Sequence, residues 1–186
     1  MGSAHSSHKL TYADYVRIPD DGKRHEIIDG VHYVSPSPVT RHQRVVLRLA
    51  HLIAGYLESH PVGEAFVAPF DILLSKFDIV VPDLIYLANE HAHFLTDKNL
   101  QGPPDLVIEI VSPGTKRRDE HLKRDLYERV GVGEYWLVDP KRNILVVYRQ
   151  GKSGFKLPQL RSAAAGHVLR TDLLPRLRIP LKHLLA

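Results

Sequence analysis

Apolar residues recur along this chain in two periods. From Thr40 to Ser59, Val45, Leu49, Leu52, Ile53 and Tyr56 fall at the three- and four-residue spacing of a helix with one buried face. Thr40 caps its start, and Pro61 with Gly63 ends it. A second helix is expected over 115–130, with Gly131 at its C-terminal stop. Shorter apolar runs at 65–67, 71–74, 79–87 and 105–111 read as strands. Arg24–Ile28 and 31–34 flank Asp29-Gly30, which is a hairpin signal. Residues 135–138 and 144–148 form two further strands across a polar turn. A short helix at 11–18, an irregular polar stretch at 89–102 and a helical turn at Leu181–Leu184 complete the pattern. Strands in the middle with a helix before and after predict an α/β fold, a central mixed sheet flanked by helices.

Composition narrows this modestly. A length of 186 residues suits one domain, expected over 11–186 behind a flexible lead-in at 1–10. Hydrophobic residues at 44% and charged residues at 25% are those of an ordinary soluble protein, which argues against disorder of the main body. The absence of cysteine excludes disulfides and thiolate chemistry. No signal-peptide core opens the chain and no apolar run reaches the length of a membrane helix. A cytoplasmic protein with no membrane partner is therefore expected. The net charge of +4 favours a polyanionic partner, but many proteins with other roles carry as much.

Two acids stand where apolar packing would be the default. Asp83 follows Val81-Pro82 and precedes Leu84-Ile85-Tyr86-Leu87, and Glu109 interrupts Leu106-Val107-Ile108 and Ile110-Val111. A carboxylate in such a strand is costly to bury unless paired or bound to a cation. Either acid alone reads equally as a strand end paired with an arginine. Together, on neighbouring strands, they would form a hard oxygen site suited to Mg²⁺ or Mn²⁺ and to phosphodiester hydrolysis. A lysine two residues beyond Glu109 would share its face of the strand, but Val111 stands there. The nearest substitutes are Lys116 and Lys123 on the following helix, where Lys123 shares a face with Tyr127. The alternative is a plain salt bridge between Asp119 and Lys123 on a solvated helix face.

The run Pro104-Asp105-Leu106-Val107-Ile108-Glu109-Ile110-Val111-Ser112-Pro113 resembles the hallmark of the Uma-type restriction endonuclease family. Lys123, Tyr127 and Gly131-Val132-Gly133-Glu134-Tyr135-Trp136-Leu137-Val138-Asp139-Pro140 are similar to that family's next segment. His25-Glu26-Ile27-Ile28-Asp29-Gly30, Ser35-Pro36 with His42, and Leu173-Leu174-Pro175 extend the likeness over nearly the whole chain. Gly133 departs from a common proline and His25 from a common tyrosine, neither in the chemical positions. The resemblance implies a restriction-endonuclease-like core of the PD-(D/E)XK superfamily. It implies that Asp83 and Glu109 bind Mg²⁺ (or Mn²⁺) and that the catalytic lysine has migrated to Lys123. It also implies Glu26 as a supporting acid, the carbonyl of Ile110 as a further metal ligand, and a homodimer by analogy.

Remaining features are weighed on their own. Lys116, Arg117 and Arg118 open the second helix, where basic residues oppose the helix dipole, so contacts to phosphates beside the scissile one are expected of them. His91 and His93 are a tight pair without an evident third ligand and read as a surface loop. His42 is either functional or polar surface. Trp136 and Tyr135 read as core. No nucleophile elbow surrounds Ser112, and no phosphate-binding glycine loop occurs. The function expected is metal-dependent endonucleolytic hydrolysis, with DNA as substrate. A nucleic-acid-binding protein that keeps the fold without cleaving stays open beside it.

Overall fold

The computed structural model describes residues 8–186, so most of the expected lead-in lies outside the described residues. Its end does not hang free. The amide of Leu10 donates to the carbonyl of Gly30, and Lys9 pairs with Asp29. Helix α1 (Tyr12–Tyr15) follows, with the hydroxyl and amide of Thr11 both donating to Asp14 at 2.8 Å.

Strands β1 (Arg24–Ile28) and β2 (Val31–Ser35) form the expected hairpin. Its turn residues Asp29 and Gly30 both have positive φ (51° and 77°), which is what a two-residue turn between twisted strands demands. Helix α2 (Thr40–Ser59) buries His42, Val45, Leu49 and Ile53 on one stripe. Strands β3 (Gly63–Val67), β4 (Ile72–Ser75), β5 (Asp78–Val80) and β6 (Leu84–Ala88) come next. The single strand expected over 79–87 is therefore two strands in two different sheets. Pro82 lacks the amide that a continuing ladder needs, and the chain turns at Val81-Pro82-Asp83.

After a 3₁₀ turn (Asn89–Phe94), strand β7 (Leu106–Ile110) leads into the second long helix. That helix contains a π-helical turn (Arg118–Lys123) before the regular segment α3 (Arg124–Val130), and it closes on Gly131 at φ 84°. The other strands are β8 (Glu134–Asp139), β9 (Ile144–Gly151), β10 (Gly154–Phe155), β11 (Gln159–Ser162), β12 (Val168–Leu169) and β13 (Ile179–Pro180), followed by α4 (Leu181–Leu184).

The main sheet runs β10-β9-β8-β7-β6-β3, with β11 added on β9; β7 and β8 are parallel and the other neighbours antiparallel. A smaller antiparallel sheet runs β2-β1-β5-β4. Alternation along β7 sorts its side chains. Leu106, Ile108 and Ile110 face the α2 side with Val45, Leu49, Ile53 and Trp136. Val107 faces the other side, with Leu126, Tyr127 and Tyr135. Glu109, two residues on, shares that second face and lies under the helix that carries Lys123. Among the described residues no helix is long and apolar enough to cross a membrane.

Candidate metal centre

Three separate elements deliver buried and half-buried charges to one place. From the small sheet, alternation puts Arg24 and Glu26 on the same face of β1. From the main sheet come Asp83, one residue ahead of β6, and Glu109 near the C-terminal end of β7. From the π-helical turn come Arg118, Asp119 and Lys123. The place is the end of the central strand β7, where the two sheets meet. Widened helical turns of this kind recur at functional sites. Here the hydroxyl of Tyr135 donates to the carbonyl of Asp119 inside the turn, at 3.0 Å.

Lys123 is the hub. Its ammonium lies 2.6 Å from Glu26 Oε1 and 2.7 Å from Glu109 Oε1, with 1% of the residue exposed. Tyr127, one turn on, donates to the same Glu109 oxygen at 3.0 Å. The same Glu26 oxygen accepts from the amide of Val81 at 2.9 Å, so β1 is tied directly to the bend that presents Asp83. Asp83 accepts from Arg24 (2.7 Å), from His42 Nε2 (3.0 Å) and from the amide of Ile110 (2.8 Å). Arg118 bonds Ser35, lies 3.6 Å from Glu26 and covers the ring of Tyr33.

These contacts drive the acids apart in acidity. Burial opposes ionisation of Asp83, but His42, Arg24 and the Ile110 amide outweigh it and hold its carboxyl near 2. Burial dominates at Glu109. Lys123 pulls against it, but Asp119, Asp83 and Glu26 add repulsion, and the carboxyl is pushed up to about 8. Asp119 is likewise raised, to about 6, by burial that Lys123 and the Thr115 hydroxyl only partly offset. Burial also works against the charge on Lys123, yet Glu109, Glu26 and Asp119 keep it protonated beyond its ordinary range.

A small cavity of about 20 Å³ opens between these groups. Asp83, Glu109, Ile110, Asp119 and Lys123 line it, with Arg24, His42 and Arg118 also on its wall. Such a volume holds an ion or one or two waters, not a nucleotide. Of the expected site residues, Asp83, Glu109, Lys123, Ile110 and Arg118 reach this cavity. Glu26 stands behind Lys123 and is absent from the wall. Lys116 lies outside, 3.7 Å from Glu120, and Arg117 borders a separate surface depression beside Tyr33 and Val34. The plain bridge between Asp119 and Lys123 does not form within 4.0 Å.

Sequence reasoning missed Arg24 and Asp119 and left His42 undecided. Each carried a signal. Arg24 alternates with Glu26, His42 precedes Val45 by three on the buried stripe of α2, and Asp119 precedes Lys123 by four. Elsewhere, Asp105 supplies the neighbour that His91 lacked in sequence, and with Glu90 these groups bring possible ligand atoms within 4.8 Å of one another. The oxygens of Asp105 are already taken by the amide of Ala88 and by His91 Nδ1, so the trio closes the 3₁₀ turn.

Fold and site together define a restriction-endonuclease-like domain. A crystal structure of "a putative nuclease belonging to DUF820" from Anabaena variabilis superposes with a TM-score of 0.81, covering 95% of this chain and 97% of that one at 18% sequence identity, a likeness of fold. Residues 12–182 match the model of the Uma2 family, described as "Putative restriction endonuclease", and the chain belongs to that family. The functional class this gives is a nuclease. None of the curated proteins compared matches the chain.

Proposed function

We propose that this protein is a divalent-cation-dependent endonuclease that hydrolyses phosphodiester bonds in DNA. One observation carries the proposal: Asp83, Glu109 and Lys123, distant in sequence, line a single cavity of ion size at the end of β7. The donors fit a hard cation, since the wall offers the carboxylates of Asp83 and Glu109. Asp83, Glu109 and the carbonyl of Ile110 would hold Mg²⁺ or Mn²⁺. Such an ion, when bound, polarises the phosphate and makes its water more acidic.

The chain's own groups do the rest. Lys123 is held protonated by Glu109 and Glu26, so it acts as a fixed cation toward charge developing on the phosphate and does not accept a proton. Glu26 fixes the ammonium in place. Arg118 and Arg24 stand on the wall, within reach of non-bridging phosphate oxygens. Lys116 and Arg117, farther out, would meet flanking phosphates. The net charge of +4 and the family description support a nucleic-acid substrate.

The test is incubation of wild type, Asp83→Ala and Glu109→Ala with supercoiled plasmid, single-stranded DNA and branched DNA, each with Mg²⁺, Mn²⁺ or EDTA. Cleavage by wild type alone, stopped by EDTA and by either substitution, is expected. Equal DNA binding by all three proteins without cleavage would instead establish a binding protein that keeps the fold.

A further inference from the structure

The buried charges of the site do not balance. Four carboxyls, Glu26, Asp83, Glu109 and Asp119, meet three permanent cations, Arg24, Arg118 and Lys123. Asp83 is paired with Arg24, Glu109 with Lys123, and Glu26 with both Lys123 and Arg118. Asp119 is left over. Only 2% of it is exposed, and among the described residues none of the ion pairs within 4.0 Å involves it. Its hydrogen-bond partner is the uncharged Thr115 hydroxyl, and Lys123 and Arg118 act on it only from beyond 4.0 Å. A buried carboxylate without an ion-pair partner in contact is costly for a fold to hold, and it persists where something compensates it.

The position of Asp119 says what that is. It lies on the wall of the same 20 Å³ cavity as Asp83 and Glu109, carried there by the π-helical turn. Two residues of the same wall carry buried polar atoms without a hydrogen-bond partner, His42 Nδ1 and Arg118 Nε. Resting on the metal-site reading above, we infer that Asp119 is a further carboxylate of the divalent-cation site, binding the ion directly or through one of its waters. With all four carboxyls ionised, as a bound cation would keep them, the cluster carries one excess negative charge. A divalent cation turns that into one excess positive charge, which a phosphodiester, with its single negative charge, then neutralises.

The experiment is a Mn²⁺ titration, followed by calorimetry and by the rise in melting temperature, on wild type, Asp119→Asn, Asp119→Ser and Asp83→Asn. Asparagine keeps the shape of the side chain and serine relieves any crowding, so two variants guard against a folding defect, which melting in EDTA detects. The expected result is that both Asp119 variants fold and bind Mn²⁺ about tenfold or more weakly, as Asp83→Asn does. Affinity within about twofold of wild type in the Asp119 variants, with loss in Asp83→Asn, overturns the role of Asp119 and leaves the metal site standing. No Mn²⁺ binding by wild type overturns the metal site and the inference together.

Discussion

Replacing Lys123 by methionine keeps the length of the side chain and removes its charge, leaving two acids facing each other in the interior. Glu26 retains the Val81 amide and Arg118 at 3.6 Å; Glu109 retains only Tyr127. Breaking a buried pair in this way costs about 3–5 kcal/mol, because the stranded charge has no water to fall back on. Against a total domain stability of roughly 5–15 kcal/mol this is a large fraction. For a chain of this size it corresponds to a fall in melting temperature of about 6–20 °C. Thermal and urea unfolding followed by circular dichroism, in EDTA at about pH 9, above the value near 8 at which Glu109 loses its proton, measures it. The deficit should shrink toward about pH 4.5, the ordinary value for Glu109, where stranded carboxyls accept protons at little cost. A second substitution, Glu109→Gln, should restore a substantial part of the loss. A single variant melting within about 2 °C of wild type would refute the reasoning, since it would mean that the ammonium offsets no buried charge.

Two further outcomes follow from the same cluster. In EDTA the folded protein should lose stability as pH rises from about 4 to 8, because folded Asp119 keeps its proton to about 6 and Glu109 to about 8 while the unfolded chain has released both, near 3.8 and 4.5. Asp83 contributes in the opposite sense and only on the acid side, its stabilisation fading as pH falls from 3.8 toward about 2. Urea midpoints across this range check the sign; a midpoint that rises steadily to pH 8 contradicts it. Arg24→Gln frees Asp83 Oδ1 from its guanidinium, so Mn²⁺ affinity should rise severalfold while DNA cleavage falls. Weaker Mn²⁺ binding in this variant would show that Arg24 positions Asp83 and does not compete for it.

The elements of the fold were readable in the sequence where a local rule acted alone. The Asp29-Gly30 turn, the stripe of α2 and the stop at Gly131 depend on neighbours in the chain, and each lies where its pattern put it. The break at Pro82 was marked by a residue without an amide, but the apolar run around it is equally dense on both sides, so periodicity alone joined β5 to β6. The site was half readable. Asp83 and Glu109 stand out because an acid amid apolar residues is costly. Arg24, His42 and Asp119 do not, because each sits among other polar residues and only tertiary packing brings it to the site. Glu26 was visible only through family resemblance, and its work in the structure, holding Lys123, depends on a sheet to which Lys123 does not belong.

The lysine shows why the site could be assembled this way. Val111, two residues past Glu109, shares its face of the chain, and its side chain packs into the core beneath the helix. An ammonium there would have displaced that packing. Lys123 instead reaches Glu109 from above, from a helix whose next turn supplies Tyr127 to the same oxygen. The cost is that the ammonium must be held by something other than its own strand, and Glu26 from the smaller sheet provides that hold. Docking of the two sheets therefore completes the site: β1 ties the bend that presents Asp83 to Lys123 on the helix, through Val81 and Glu26.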